Sequence, residues 1–261
     1  MKRQKIFYAM TIVIVAIVSI SAARIPNIKD YVRFNDNLYA QCHEVTNKEY
    51  REFLMDLKTN NQTDKYNKCL YDSIQWVRKF TGSYTEPFQI SYHSHPAYDN
   101  YPIVNITPGA AESYCEWLTA KYNSEVKRKY KKVTFRLPDE NEWKKLASPQ
   151  AENNLPWKGN SNLSEDGKTY CSNIKVKDPK TNEDNYVVDG GLTALIVSHY
   201  KPNDLGIYDV IGNVCEMTQE GKQKGGSWDN YLEECKVDKT QNFSLPDPRV
   251  GFRVVMEIIE E

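Results

Sequence analysis

The clearest alternation of apolar and polar positions lies in Thr46–Leu57, TNKEYREFLMDL. Tyr50, Phe53, Leu54 and Leu57 recur there at i, i+3, i+4 and i+7, one face of a helix. Thr46 and Glu49 have the spacing of a reciprocal cap, which fixes the expected start. Leu38–Val45, just upstream, reads as a strand. Farther on, Thr107 and Pro108 supply an N-cap and a first-turn proline. The helix they open would bury Ala111, Tyr114, Cys115, Leu118 and Tyr122. The apolar run Pro102–Ile106 before it is expected to be a short strand, as is Val133–Leu137 after it. Pro138 and Asp139 then open a third helix, with Glu142 at the capping position and Trp143, Leu146 and Ala147 facing inward. Three strand-like pieces close the chain: Gly206–Tyr208 with Asn213–Met217, then Gly225–Trp228, then Val250–Met256.

Two stretches lack periodicity. Lys58–Asn100 is polar and aromatic with several prolines, and reads as an irregular excursion. Ser148–Asn203 runs for more than fifty residues rich in Asn, Asp, Lys, Gly and Pro. Loops of that length in a compact domain are uncommon and usually functional, or are held by a metal or a disulfide. No repeat and no linker composition appears, so the reading is one loop-rich α+β domain over 24–261.

Charge narrows the function. The 34 basic and 35 acidic residues nearly cancel, and no basic cluster marks a nucleic-acid surface. The N-terminus departs from this balance. Lys2, Arg3 and Lys5 precede the uncharged run Ile6–Ala23, with Ser21-Ala22-Ala23 as a small-residue cleavage site. Residues 1–23 therefore read as a signal peptide or an uncleaved membrane anchor, which sends 24–261 out of the cytoplasm. The domain is then expected to be periplasmic, cell-surface or secreted. Six cysteines, Cys42, Cys69, Cys115, Cys171, Cys215 and Cys235, fall in that disulfide-permissive setting, and one to three bridges are expected. No pair has CxxC spacing.

Seven segments occur in an order that resembles one family: EVTNKEYREFL, YPIVNITPGAAESYCEWL, FRLPDENEWKKLA, LPWKGN, PNDLGIYDVIGNVCEM, KGGSW and RVGFRVV. Together they are similar to the formylglycine-generating enzyme, or sulfatase-modifying factor, family. The resemblance implies a compact, loop-rich variant of the C-type-lectin-like fold, with small antiparallel sheets and two or three helices. It also implies calcium. In DVIGNVCE, Asp209 and Glu216 match side-chain ligands, and Gly212 and Val214 match carbonyl ligands. From the spacing alone, a hairpin with a solvated Glu216 is the simpler reading. A second implied set is Asn173 with Ile174, and Asp189 with Gly191 if the loop aligns without gaps back from Val197. Mixed carboxylate and carbonyl oxygens are what calcium takes.

The stretch KGGSWDNYLEEC decides the chemistry. Family members that oxidise cysteine to formylglycine hold copper(I) between two cysteines five residues apart in this loop, since soft thiolates select that ion. Here the second position is Cys235 and the first is Asn230, a poor copper(I) ligand. Copper is therefore not expected, although Cys215 is left open as a spatial substitute. Cys115 lacks the family's partner, whose place is Val254, and is expected to be a free buried thiol. Trp117, Trp143 and Trp228 read as core, and Arg136 and Arg253 as members of structural ion pairs. His93 and His95 have no third ligand near them. The expectation is a non-catalytic, calcium-stabilised binding or assembly module whose partner is an extracytoplasmic protein or glycan, such as an envelope complex. The alternative is a copper-dependent formylglycine-generating oxidoreductase acting on sulfatases. A diversified lectin-like display protein is a third reading, by fold analogy alone.

Overall fold

The computed structural model describes residues 27–81, 85–147, 153–243 and 245–261. The expected export segment, residues 1–23, lies outside them. Strands β1 (Tyr31–Arg33) and β2 (Leu38–Gln41) form a hairpin that leads into helix α1 (Asn47–Thr59). The cap at Thr46 is reciprocal. Its hydroxyl accepts from Glu49 N at 3.2 Å, and its own N–H donates to Glu49 Oε2 at 2.7 Å. The excursion after α1 holds three short helices, α2 (Thr63–Cys69), α3 (Gln75–Lys79) and α4 (Glu86–Ser91). At five to seven residues each, they are too short to show a helical period in the sequence.

Helix α5 (Pro108–Ser124) buries the face that its pattern specifies. It leads to β3 (Lys132–Arg136) and α6 (Glu140–Ala147), where Asp139 and Glu142 exchange side-chain to backbone bonds of 2.7 and 2.9 Å. Among its described residues, the long aperiodic stretch contributes the hairpin β4 (Val176–Lys177) and β5 (Asp184–Asn185). Then come β6 (Cys215–Met217), β7 (Lys222–Lys224), the single turn α7 (Leu232–Cys235), β8 (Gln241–Asn242), β9 (Val250–Gly251) and β10 (Val255–Glu260).

Two four-stranded sheets organise these elements, in the orders β1-β2-β10-β3 and β8-β7-β6-β9. The first is antiparallel, and the second has one parallel pair, β6 with β9. Both faces of the first sheet are covered. Met256 packs with the side chains of α1 and α5, while its neighbour Val255 packs with Trp143, Leu146 and Ile207. That alternation is the two-residue period of a strand. A third cluster gathers Trp76, Tyr92, Val104 and Trp228 beneath the excursion. The fold is α+β, as expected.

Several strand boundaries differ from the sequence reading. Pro102–Ile106 forms no strand: Pro102 makes one isolated bridge to Thr46, and Asn105 turns the chain at φ 61°. Gly206–Tyr208 and Gly225–Trp228 are likewise not strands, because Gly206, Gly225 and Gly226 all take positive φ. Val250–Met256 is divided between the two sheets, and Arg253 lies where the chain crosses from one to the other. Among the described residues, no helix is long and apolar enough to cross a membrane.

Candidate functional site

Arg253 is the centre of the molecule's polar interior. It has no exposed surface, and its guanidinium meets Glu216 of β6 at 2.5 to 3.1 Å. It also donates to Gln41 O at 3.0 Å and Tyr208 O at 2.7 Å, so one side chain ties β2, β6 and the crossing segment together. Glu216 Oε2 takes a further bond, from Trp143 Nε1 at 2.8 Å. Both oxygens of Glu216 are thus occupied. Arg136 is the second structural ion pair, forked onto Glu142 at 2.6 and 2.7 Å.

Elsewhere in the interior, some buried carboxylates make no ion pair among the described residues. Among the described residues, the buried carboxylate oxygens with no hydrogen-bond partner belong to Glu44, Asp189 and Asp209. In each, the other oxygen is held. Glu44 Oε1 accepts from Asn213 Nδ2 at 2.9 Å, Asp209 Oδ2 from Ser198 N at 2.5 Å, and Asp189 Oδ2 from Ile174 N at 2.7 Å. Burial pushes Asp209 and Asp189 up to about 6, against the pull of their backbone donors. Glu44 is driven well above the usual carboxylate range by burial, and then by the charge of Asp209. An unpaired buried carboxylate costs several kcal/mol unless it keeps a proton or meets a cation.

The two expected ligand stretches touch each other. Asn213 N donates to Asn173 O at 2.8 Å, and Asn173 Nδ2 lies 3.3 Å from Asn213 Oδ1. Gly212 has φ 75°, and a Cβ there would collide with Asn173 O, so only glycine lets the turn sit so close. Asn173 Oδ1 is buried and without a partner, as is Asp189 Oδ1. The set Asn173, Ile174, Asp189 and Gly191 therefore offers the bare oxygens that a hard cation takes. In the set Asp209, Gly212, Val214 and Glu216, Asp209 fits and Glu216 does not, because its oxygens already serve Arg253 and Trp143. Among the described residues no three His, Cys, Asp or Glu side chains gather as metal ligands. A cation here would have to draw on amide and carbonyl oxygens too. Glu44, which pattern reading passed over, stands out only as an acid beside the buried Val45.

The loop Lys224–Cys235 is stitched down rather than solvated. Asn230 Oδ1 accepts from Ser227 Oγ at 2.7 Å and from Ser227 N at 3.1 Å. Asp229 receives Arg249 at 3.0 Å and the Tyr186 hydroxyl at 3.1 Å. Cys235 is fully buried against Gly226, where a Cβ would collide with its sulfur. Burial, and then Cys215, raise its thiol well above the ordinary value. Cys215 does come close in space: Ser227 influences both thiols, Cys215 acts on Cys235, and burial pushes Cys215 up to about 12. The loop's own donors, one thiol and one engaged amide, do not fit a two-thiolate copper(I) centre. All six cysteines are free thiols. Cys115 is buried, as expected. His93 stacks on Tyr71 at 4.0 Å and His95 Nδ1 accepts from Ala97 N, so the two imidazoles serve separate structural ends. Trp143 and Trp228 are core, and Trp117 is partly buried.

Residues 25–258 match the model of the sulfatase-modifying factor enzyme 1-like domain. The chain belongs to that family. The formylglycine-generating enzyme of Mus musculus is 24% identical over 213 residues, covering 71% of this chain and 49% of that protein. The chain thus spans about half the length of this curated relative. Among solved structures, PvdO from Pseudomonas aeruginosa superposes with a TM-score of 0.55 at 17% identity, over 84% of this chain and 80% of that one. Treponema denticola variable protein 1 gives 0.52 at 16% identity, over 87% and 91%. At such identities these two structures carry the sulfatase-modifying-factor fold and nothing finer.

Proposed function

We propose that this chain is an exported sulfatase-modifying-factor-like domain that binds or assembles with a protein or glycan partner, is stabilised by calcium, and does not oxidise cysteine. The observation that carries the reading is the occupant of the first copper position. Asn230 stands there with its amide oxygen engaged by Ser227, and the remaining thiol, Cys235, is buried and held protonated. A protonated, enclosed thiol is neither a nucleophile nor a ligand. Calcium is supported by the bare oxygens of Asn173, Asp189 and Asp209. Export is supported by the basic tip and apolar run of residues 1–23.

One observation favours a second reading, a copper-dependent formylglycine-generating oxidoreductase: Cys215 and Cys235 are near enough for each to act on the other's neighbourhood at Ser227. An anaerobic copper(I) titration of the reduced protein beside Cys235→Ser and Cys215→Ser separates the two. The binding-module reading expects no stoichiometric site in the wild type. Tight binding lost in either variant would establish the oxidase reading instead.

A further inference from the structure

We infer that the cleft between the β1–β2 hairpin, α1 and α5 binds a small organic ammonium ion, a protonated amine carried on an apolar body. This goes beyond the partner-binding reading and does not rest on it, since no residue of the Lys224–Cys235 loop lines the cleft. The cleft encloses about 560 Å³, within the range of small-molecule sites. Strands β1 and β2 pair Tyr31 with Gln41, and Cys42 N donates to Asp30 O at 2.7 Å. Asp30 and Gln41 therefore meet at the open end of the hairpin. The first turns of α1 bring Lys48, Glu49 and Glu52 to the same cleft. Val197 N donates to Asn100 O at 2.9 Å, and these two residues add a further wall. Tyr31, Tyr114, Trp117 and Leu118 supply apolar surface.

The cleft is rich in free acceptors. Gln41 is 2% exposed, and its Nε2 donates to Glu49 Oε1 at 2.9 Å. That bond fixes which end of the amide is oxygen, and Oε1 is left buried with no partner among the described residues. A bare buried carbonyl oxygen is costly until a donor reaches it. His43 donates its Nδ1–H to Glu44 O at 2.9 Å, so the neutral ring keeps an acceptor, Nε2, on its other side. Charge points the same way. Asp30, Glu49 and Glu52 set three carboxylates against the one ammonium of Lys48, which is exposed. Glu49 has both oxygens engaged, by Gln41 and by the Thr46 cap. Asp30 takes only the Asn27 amide, at 3.2 Å, and neither Asp30 nor Glu52 forms an ion pair among the described residues. The negative charge reaches the aromatic wall: burial, and then Glu49, push the hydroxyls of Tyr31 and Tyr114 well above their ordinary value. Acceptors, excess negative charge and aromatic rings select a cation with N–H donors and reject anions.

The test is a calorimetric titration of the full chain at low salt with phenethylamine and with its uncharged counterpart, phenethyl alcohol. It is run on the wild type and on Asp30→Asn, Glu52→Gln and Gln41→Leu, each checked for fold by circular dichroism. The wild type should take up about one equivalent of the amine, about tenfold or more tighter than the alcohol. Asp30→Asn and Glu52→Gln should each weaken the amine by about two- to fivefold and leave the alcohol unchanged. Gln41→Leu should weaken both, because an ammonium and a hydroxyl can each donate to its oxygen. Should Gln41→Leu fail to fold, the two acid variants carry the comparison. Equal affinity for amine and alcohol, amine binding unchanged in both acid variants, or no binding by the wild type would overturn the inference.

Discussion

Replacing Arg253 with Met should be far more damaging than replacing its partner Glu216 with Gln, although the two changes break the same ion pair. Met fills similar space but leaves Glu216, Glu44 and Asp209 buried with no positive charge among them. It also strips the donor from two enclosed carbonyls, Gln41 O and Tyr208 O. Removing one partner of a buried pair costs about 3–5 kcal/mol, and each orphaned carbonyl adds about 1–3 kcal/mol. The sum reaches the whole stability of an ordinary domain, about 5–15 kcal/mol. Gln at 216 removes one negative charge from a cluster that has too many. The guanidinium keeps an oxygen to bond and still faces two acids, so a loss of roughly 2–3 kcal/mol is expected, chiefly from the mispaired Trp143 N–H. Urea denaturation followed by far-UV circular dichroism, in chelator, reads the difference. Arg253→Met should be unfolded or nearly so without denaturant, while Glu216→Gln should show a shifted but cooperative transition. Equal losses, or a larger loss for Glu216→Gln, would refute the excess-charge account of this interior.

Three further outcomes follow from single sites. His93 is buried and its imidazole is pushed down to about 3, so it stays neutral in the fold while the unfolded chain protonates near 6.5. Its contribution is complete above pH 6.5 and is lost as pH falls towards 3, at up to roughly 1.4 kcal/mol per pH unit. His93→Gln should have a flatter acid limb in urea melts, and an unchanged limb would contradict this. Gly212→Ala should cost about 3 kcal/mol, from positive φ plus the clash with Asn173. Gly159→Ala, with open space around it, should cost only about 1 kcal/mol, and thermal melts that reversed this order would dismiss the packing argument. Thr46→Ala should lower stability by about 1 kcal/mol through the lost cap, as chemical denaturation can show.

The helices were legible where they bury a continuous stripe. Thr46, Glu49 and the Tyr50–Leu57 face specify α1, and Thr107-Pro108 specifies α5, because cap and period agree locally. Two short strands were not. Lys222–Lys224 and Gln241–Asn242 are held by pairing within the second sheet, and a run of two or three residues has no period to read. Val250–Met256 looked like one strand because the crossing at Arg253 leaves no mark in its apolar pattern. The site was legible in part for a related reason. Asp209, Asn173 and Asp189 come from the family resemblance of their stretches, not from any local pattern. Glu44 sits in a plain strand-to-helix link, and its meaning depends on Asn213, 169 residues away. The filled oxygens of Glu216 were equally invisible, since Trp143 and Arg253 reach it from separate elements.

The most direct test of the central claim is whether the copper-loaded protein oxidises a cysteine-containing sulfatase-type peptide under oxygen, followed by mass spectrometry. The account predicts that the wild-type chain returns the peptide with its thiol intact. Conversion of the cysteine to formylglycine by the wild-type chain, abolished in Cys235→Ser, would contradict it.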